Sequence, residues 1–225
     1  MIPLHDDNPT ETTPFFTIAL IAGNILVFVY ELTLPTLASA QQFVMSFAMI
    51  PGEIVSADIR REAVTLFTSM FLHAGIMHLA GNMIYLWIFG NNIEDAVGHI
   101  KFLIFYALCG IVAHAAHIAH NPTSTIPTIG ASGAVSGILG AYLLLYPRAK
   151  VLTLIPFGFF YETVHIPAGL LLVIWFAMQV ASGWATGGAG GGVAWWAHIG
   201  GFAAGFVLIS SFTTRRNIQT KHPTR

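Results

Sequence analysis

Six stretches of about twenty mostly apolar residues, near 15–35, 77–97, 100–120, 132–147, 166–184 and 193–212, set the solvent in which this chain must fold. A helix of that length crosses a bilayer. Only 8% of the 225 residues are charged, whereas a soluble domain carries about 25%. The pattern predicts an all-α, multi-pass membrane protein built as a six-transmembrane-helix bundle.

The N-terminal MIPLHDDNPTETTP holds three acids and no Lys or Arg. It lacks the basic start of a cleaved signal peptide, so the first helix is expected to stay. With the N-terminus inside, Lys101, Arg148, Lys150, Arg215, Arg216, Lys221 and Arg225 fall inside, and only Arg60 and Arg61 fall outside. That bias predicts cytoplasmic termini, and the membrane expected is a prokaryotic plasma (inner) membrane. The expected division is a cytoplasmic tail over 1–14, the helical unit over 15–212 and a basic cytoplasmic tail over 213–225. Cys109 is the sole cysteine, which excludes an internal disulfide and predicts a packed thiol.

Residues 36–76 form a long connection between the first two spans. Its segments LASAQQFVMSFAMI and AVTLFTSMFLHAGIMH are too apolar for a solvated loop and predict short helices partly embedded in the outer leaflet. TGGAGGG, Thr186–Gly192, predicts a mobile outer loop, and the fifth span beside it is the expected moving element.

Depth brings the polar residues together. The second, fourth and sixth spans run from outside to inside, so His78 and Asn82, Ser132, and His198 share one level in the outer half of the membrane. The fourth span is short, about 22 Å against a hydrocarbon core of about 30 Å. Its start therefore lies below the surface. The preceding NPTSTIPTIGA must descend as irregular backbone lining a watery cavity, with Ser132 at its bottom.

A serine becomes a nucleophile when a base within hydrogen-bond reach takes its proton, and His198 is the candidate base. Gly133 and Gly137 on one helix, and Gly201 and Gly205 on the other, are each spaced by four. That spacing lets helix backbones approach closely. The same pattern occurs where nothing but packing is at stake, and membrane serines mostly bond their own backbone. What separates the two readings is the company at that depth, because imidazoles inside a bilayer are costly. His78 and Asn82, four apart, face one way and could donate to an oxyanion beside the Ser132 N–H. All ten acids fall in loops, tails or helix ends, so the expected unit is a Ser–His dyad.

HAGIMHLAGN (73–82), GASG (130–133) and AHIGG (197–201), in this order across six spans, resemble the rhomboid family of intramembrane serine proteases. The resemblance covers nearly the whole chain. It implies a rhomboid-like bundle, Ser132 as nucleophile, His198 as general base, and an oxyanion hole of His78, Asn82 and the Ser132 N–H. It also implies substrates that are single transmembrane helices cut near their outer end, with no cofactor, metal or nucleic acid involved. Family members carry a Trp-Arg pair in the first outer loop, where this chain reads REAVTLF; some place a Tyr one turn below the nucleophile, where this chain has Ser136.

Other polar groups read as structural. His73 is expected to hold the loop and so to support the site. His114, His117 and His120 lie on one broad helix face, with interfacial packing preferred over metal binding. Trp195 and Trp196, and Phe157, Phe159, Phe160 and Tyr161 near the inner end of the fifth span, read as interfacial anchors. Glu94 and Asp95 are expected to bond backbone on the cytoplasmic side. Two alternatives remain: an inactive rhomboid-like protein that binds membrane clients, and a small transporter. The first should lack Ser132 or His198; the second needs a polar path through inner helix halves that are almost wholly apolar.

Overall fold

A computed structural model describes residues 1–56, 63–158, 160–186 and 192–213. In chain order it comprises β1 (Ile2–Asp6), α1 (Phe15–Thr33), α2 (Leu37–Phe47), α3 (Pro51–Ser56), α4 (Thr65–Thr68, prolonged by a 3-10 turn, Ser69–Phe71) and α5 (Ile76–Val97, with a π-helical turn at Leu86–Gly90). Then follow α6 (His99–His120), α7 (Ser132–Leu145), β2 (Lys150–Phe157), β3 (Phe160–Pro167), α8 (Ala168–Ala185) and α9 (Trp195–Phe212). Arg60 and Arg61, the glycines at 187–191 and the basic tail 214–225 lie outside the described residues.

Apolar helices stand where the six windows fall. Of these, α1, α6, α8 and α9 are each long and apolar enough to cross a membrane, and a fifth span results if α4 and α5, bent by 99°, are counted as one. The last, α7, has 14 residues and falls short of that length, as expected of a helix that begins below the surface. It is also the most enclosed helix, buried without a break from Ala134 to Tyr142. The flanking α6 and α9 pack on it most extensively. By contrast α1 buries only Thr17, Leu20, Asn24 and Phe28, one stripe at helical spacing, and turns Leu26, Val29 and Leu32 outward, where the bilayer solvates them.

Short helices fill the first loop, as its composition predicts. A capping box opens α2: the Thr36 side chain accepts from Ser39 N, and Ser39 Oγ serves the Thr36 end in return. Met49, fully buried, exchanges two backbone bonds with Thr128, and Gly130 N donates to Ser69 O at 2.9 Å. Irregular backbone at 121–131 is thereby satisfied by the loop above it, the condition for tolerating it at membrane depth.

One feature was not anticipated. Strands β1, β2 and β3 form an antiparallel sheet in that order, with Ile2 opposite Leu154 and Asp6 opposite Val151. Phe157 pairs with Phe160, and Gly158 (φ 62°) opens the turn between them. Phe157, Phe160 and Tyr161 therefore sit exposed at a hairpin tip rather than on the fifth spanning helix, which starts only at Ala168. Phe159 lies outside the described residues.

Residues 1–14 are held against the helix ends remote from Ser132 and His198. Tyr142 OH and Asn92 Nδ2 both donate to buried Asp6, and Asn8 Nδ2 donates to Asn92 Oδ1 at 2.6 Å. Burial raises the Asp6 carboxyl above its usual range, while those two donors pull it back. Glu94, also buried, accepts from Phe16 N, Thr17 N and Thr17 Oγ1, and Asp95 accepts from Thr12 N and Thr12 Oγ1. Both acids do bond backbone as expected, Glu94 at the first turn of α1, whose N–H groups have no partner within the helix.

Candidate active site

Ser132 is the first residue of α7 and His198 lies in the first turn of α9. The His198 Nε2 and the Ser132 Oγ are 2.8 Å apart. Glycines make that approach possible. A methyl group on Gly201 would collide with the Gly133 carbonyl oxygen, one on Gly205 with the Gly137 carbonyl oxygen, and one on Gly140 with that of Phe202. The two helices thus touch backbone to backbone just beneath the pair, with both glycine spacings read from the sequence at the contact. On the other side of α7, Gly137 faces Cys109, whose thiol is buried as a packing group.

Two serines one turn apart behave differently. Ser136 Oγ donates to Ser132 O at 2.6 Å, the usual retreat of a membrane serine to its own backbone. Ser132 instead turns its hydroxyl to an imidazole on another helix.

Ser132 lines two cavities. The larger, about 680 Å³, is walled by the irregular segment 121–130 and by His78, His114, His117 and His198. The smaller, about 220 Å³, is lined by His78, Asn82, Tyr85, Ser136 and Trp175. His78 Nδ1 accepts from Ala74 N at 3.4 Å, so its Nε2 carries the proton and is free to donate. Asn82 Nδ2 spends one hydrogen on His78 O at 3.0 Å and keeps another. Both side chains crowd Gly130: a methyl there would lie 2.7 Å from His78 Cε1 and 3.8 Å from Asn82 Nδ2. With φ at 114° that position suits only glycine. In the sequence Gly130 stands only as part of the GASG motif, two residues ahead of Ser132, with no role of its own.

His73 is buried, donates from Nδ1 to Phe71 O at 3.3 Å and meets the His78 ring edge-on at 5.0 Å, which fits a supporting role. His114 Nε2 lies 3.2 Å from Ser69 Oγ, whereas His120 stacks on Trp196 at 4.2 Å. Among the described residues no three His, Cys, Asp or Glu side chains converge to hold a metal ion.

The His198 ring has more company than expected. Its Nδ1 lies 2.8 Å from Gln179 Oε1 on α8. Trp175, four residues earlier on the same helix, lies alongside at 6.0 Å, and Trp195 meets it edge-on at 6.1 Å. Gln179 is an amide and carries no charge that would mark it as a partner for an imidazole. The available signal was an amide alone in an apolar span, a few residues from its outer end and so near the level of His198.

A family model described as Rhomboid domain matches residues 60–215. The chain is similar to mitochondrial rhomboid protein 1 of Saccharomyces cerevisiae, 26% identical over 194 residues, which is 83% of this chain and 50% of that protein. It is similar to rhomboid protease GluP of Bacillus subtilis, 32% identical over 130 residues, 58% of this chain and 24% of that protein. It is also similar to RHOMBOID-like protein 1 of Arabidopsis thaliana, 30% identical over 156 residues, 69% of this chain and 36% of that protein. In each case the match spans half or less of the relative's length. These relatives come from bacterial, plant and mitochondrial settings, so the likeness carries a membrane location and not the bacterial plasma membrane expected from the sequence.

Proposed function

The chain belongs to the rhomboid family, and from that premise we propose that it is an intramembrane serine endopeptidase whose catalytic unit is the helical bundle of residues 15–212. The observation that carries the reading is the 2.8 Å bond between Ser132 and His198 at the edge of a cavity that four histidines line. Ser132 Oγ attacks a carbonyl carbon of the substrate backbone while its proton passes to His198 Nε2. The resulting oxyanion is met by the Ser132 N–H at the start of α7, His78 Nε2–H and Asn82 Nδ2–H. His198 then returns its proton to the leaving amine, leaving an acyl-enzyme that a water, deprotonated by the same imidazole, hydrolyses. The histidines that line the larger cavity suit it to hold that water.

The substrate class follows from the setting. A spanning helix hides its carbonyls in hydrogen bonds and must unwind before attack, so single transmembrane helices cut near their outer end are the substrates proposed. Orientation is proposed from the basic residues, with both termini cytoplasmic. An inactive client-binding relative has no need for a bonded Ser–His pair.

The test is direct. Purified protein in detergent should cleave a transmembrane substrate, and a fluorophosphonate probe should label Ser132; absence of both defeats the reading. His78→Ala or Asn82→Ala should each lower kcat by roughly 10–10³-fold, since each removes one donor of several. Equal losses in substrate binding, seen as a raised KM at constant kcat, would show that they touch the ground state instead.

A further inference from the structure

We propose that Gln179 is a positioning residue for His198: its side-chain carbonyl holds the imidazole as the Nδ1–H tautomer, leaving Nε2 to take the Ser132 proton. The inference rests on the serine-protease reading above. Gln179 is buried, at 6% exposure, in a mostly apolar helix, which is an expensive site for an amide without a task.

Its orientation is fixed by a second bond. Gln179 Nε2 donates to Trp175 O at 3.3 Å. A flipped amide would set Oε1 against that carbonyl, acceptor against acceptor, so the oxygen faces His198. An amide oxygen only accepts. The hydrogen between the two residues, 2.8 Å apart, must therefore sit on His198 Nδ1, and the Nε2 lone pair must face the Ser132 hydroxyl. The other tautomer would oppose two lone pairs at Gln179 and leave the imidazole no free lone pair for the serine proton.

Trp175 and Gln179 are four apart and share one face of α8. Together they bracket the imidazole, the indole beside the ring and the amide at its edge. The ring therefore needs no aromatic on α7, where Ser136 is already bonded to Ser132 O. A neutral acceptor also suits this depth better than a carboxylate, whose ionised form is costly to bury in an apolar span. It orients the ring without adding a counter-charge for the imidazolium.

Gln179→Leu keeps the volume and removes the acceptor, while Gln179→Glu keeps an oxygen at the same reach. On a transmembrane substrate in detergent, Gln179→Leu should lower kcat on the order of 10–10²-fold with KM unchanged, and should slow fluorophosphonate labelling of Ser132 by the same factor. This is less than the ~10⁴-fold seen where an anionic triad member was neutralised and the tautomer inverted. Gln179→Glu should recover most of the lost kcat, at some cost in melting temperature from burying a carboxyl group. If Gln179→Leu melts early, Gln179→Asn, too short to reach Nδ1, should show the same kcat loss at the normal melting temperature. Wild-type kcat and labelling in Gln179→Leu or Gln179→Asn, or no rescue by Gln179→Glu, overturns the inference while leaving the protease reading intact. A wild-type protein that neither cleaves nor labels removes both.

Discussion

Replacing Ser132 or His198 by alanine is expected to lower cleavage of a transmembrane substrate at least 10³-fold, on the order of 4 kcal/mol of transition-state stabilisation. On the proposed mechanism Ser132 supplies the bond-forming oxygen and its hydroxyl is inert unless His198 takes its proton, so each residue is useless without the other. The double variant should for that reason be no worse than either single one. Folding should be spared in Ser132→Ala, because the hydroxyl bonds only the imidazole and its loss merely widens a cavity already lined by polar groups. Kinetics on purified variants of matched melting temperature decide the matter. Normal cleavage by Ser132→Ala would remove the nucleophile and with it the enzyme.

The quieter donors should fall between these extremes and the wild type. Ser132, His78 and Asn82 line one small cavity, the place proposed for the developing negative charge. Losing one leaves two, and the N-terminal end of α7 still favours negative charge there.

Much of this was readable from spacing and parity. Glycines four apart on two helices announced a close crossing, and the crossing carries the dyad because a serine side chain is too short to bridge ordinary helix separations. Span boundaries were readable because lipid imposes a length on every helix. Gln179 escaped for a physical reason. It lies on a span of the opposite direction to those of Ser132 and His198, and it is a neutral amide where charged residues are the usual partners of such an imidazole, a choice that a bilayer-embedded site favours.

The sheet escaped for another. Strand β1 finds its partner near residue 150, a pairing with no local signal, and β2 and β3 do not alternate cleanly between buried and exposed positions. Only the turn glycine, Gly158, stood in the sequence as a hairpin mark. Asp6 is a further example: a buried acid whose donors, Tyr142 and Asn92, lie scores of residues away.

Gly205→Val is expected to destabilise the bundle and depress activity together. The new side chain would overlap the Gly137 carbonyl, with Gly137 C at 2.5 Å and Cα at 2.6 Å from its first carbon. Those obstacles are backbone and cannot rotate away. Overpacking a well-filled interior typically costs about 1–3 kcal/mol, and a backbone obstacle puts this site at the upper end. The relief available is to spread α7 from α9, and Gly205 lies two turns below His198 on the same helix. A spread of about 1 Å at the dyad turns a bond into a gap, a displacement that can cost on the order of 10²-fold in rate. Gly23→Ala is the matched control, since its new carbon meets only the edge of Phe71 at an ordinary 3.4 Å, on a helix away from the dyad. Melting temperature and fluorophosphonate labelling should both drop for Gly205→Val and hold for Gly23→Ala. A Gly205→Val protein that melts normally and labels at the wild-type rate would mean that the α7–α9 crossing does not set the Ser132–His198 distance.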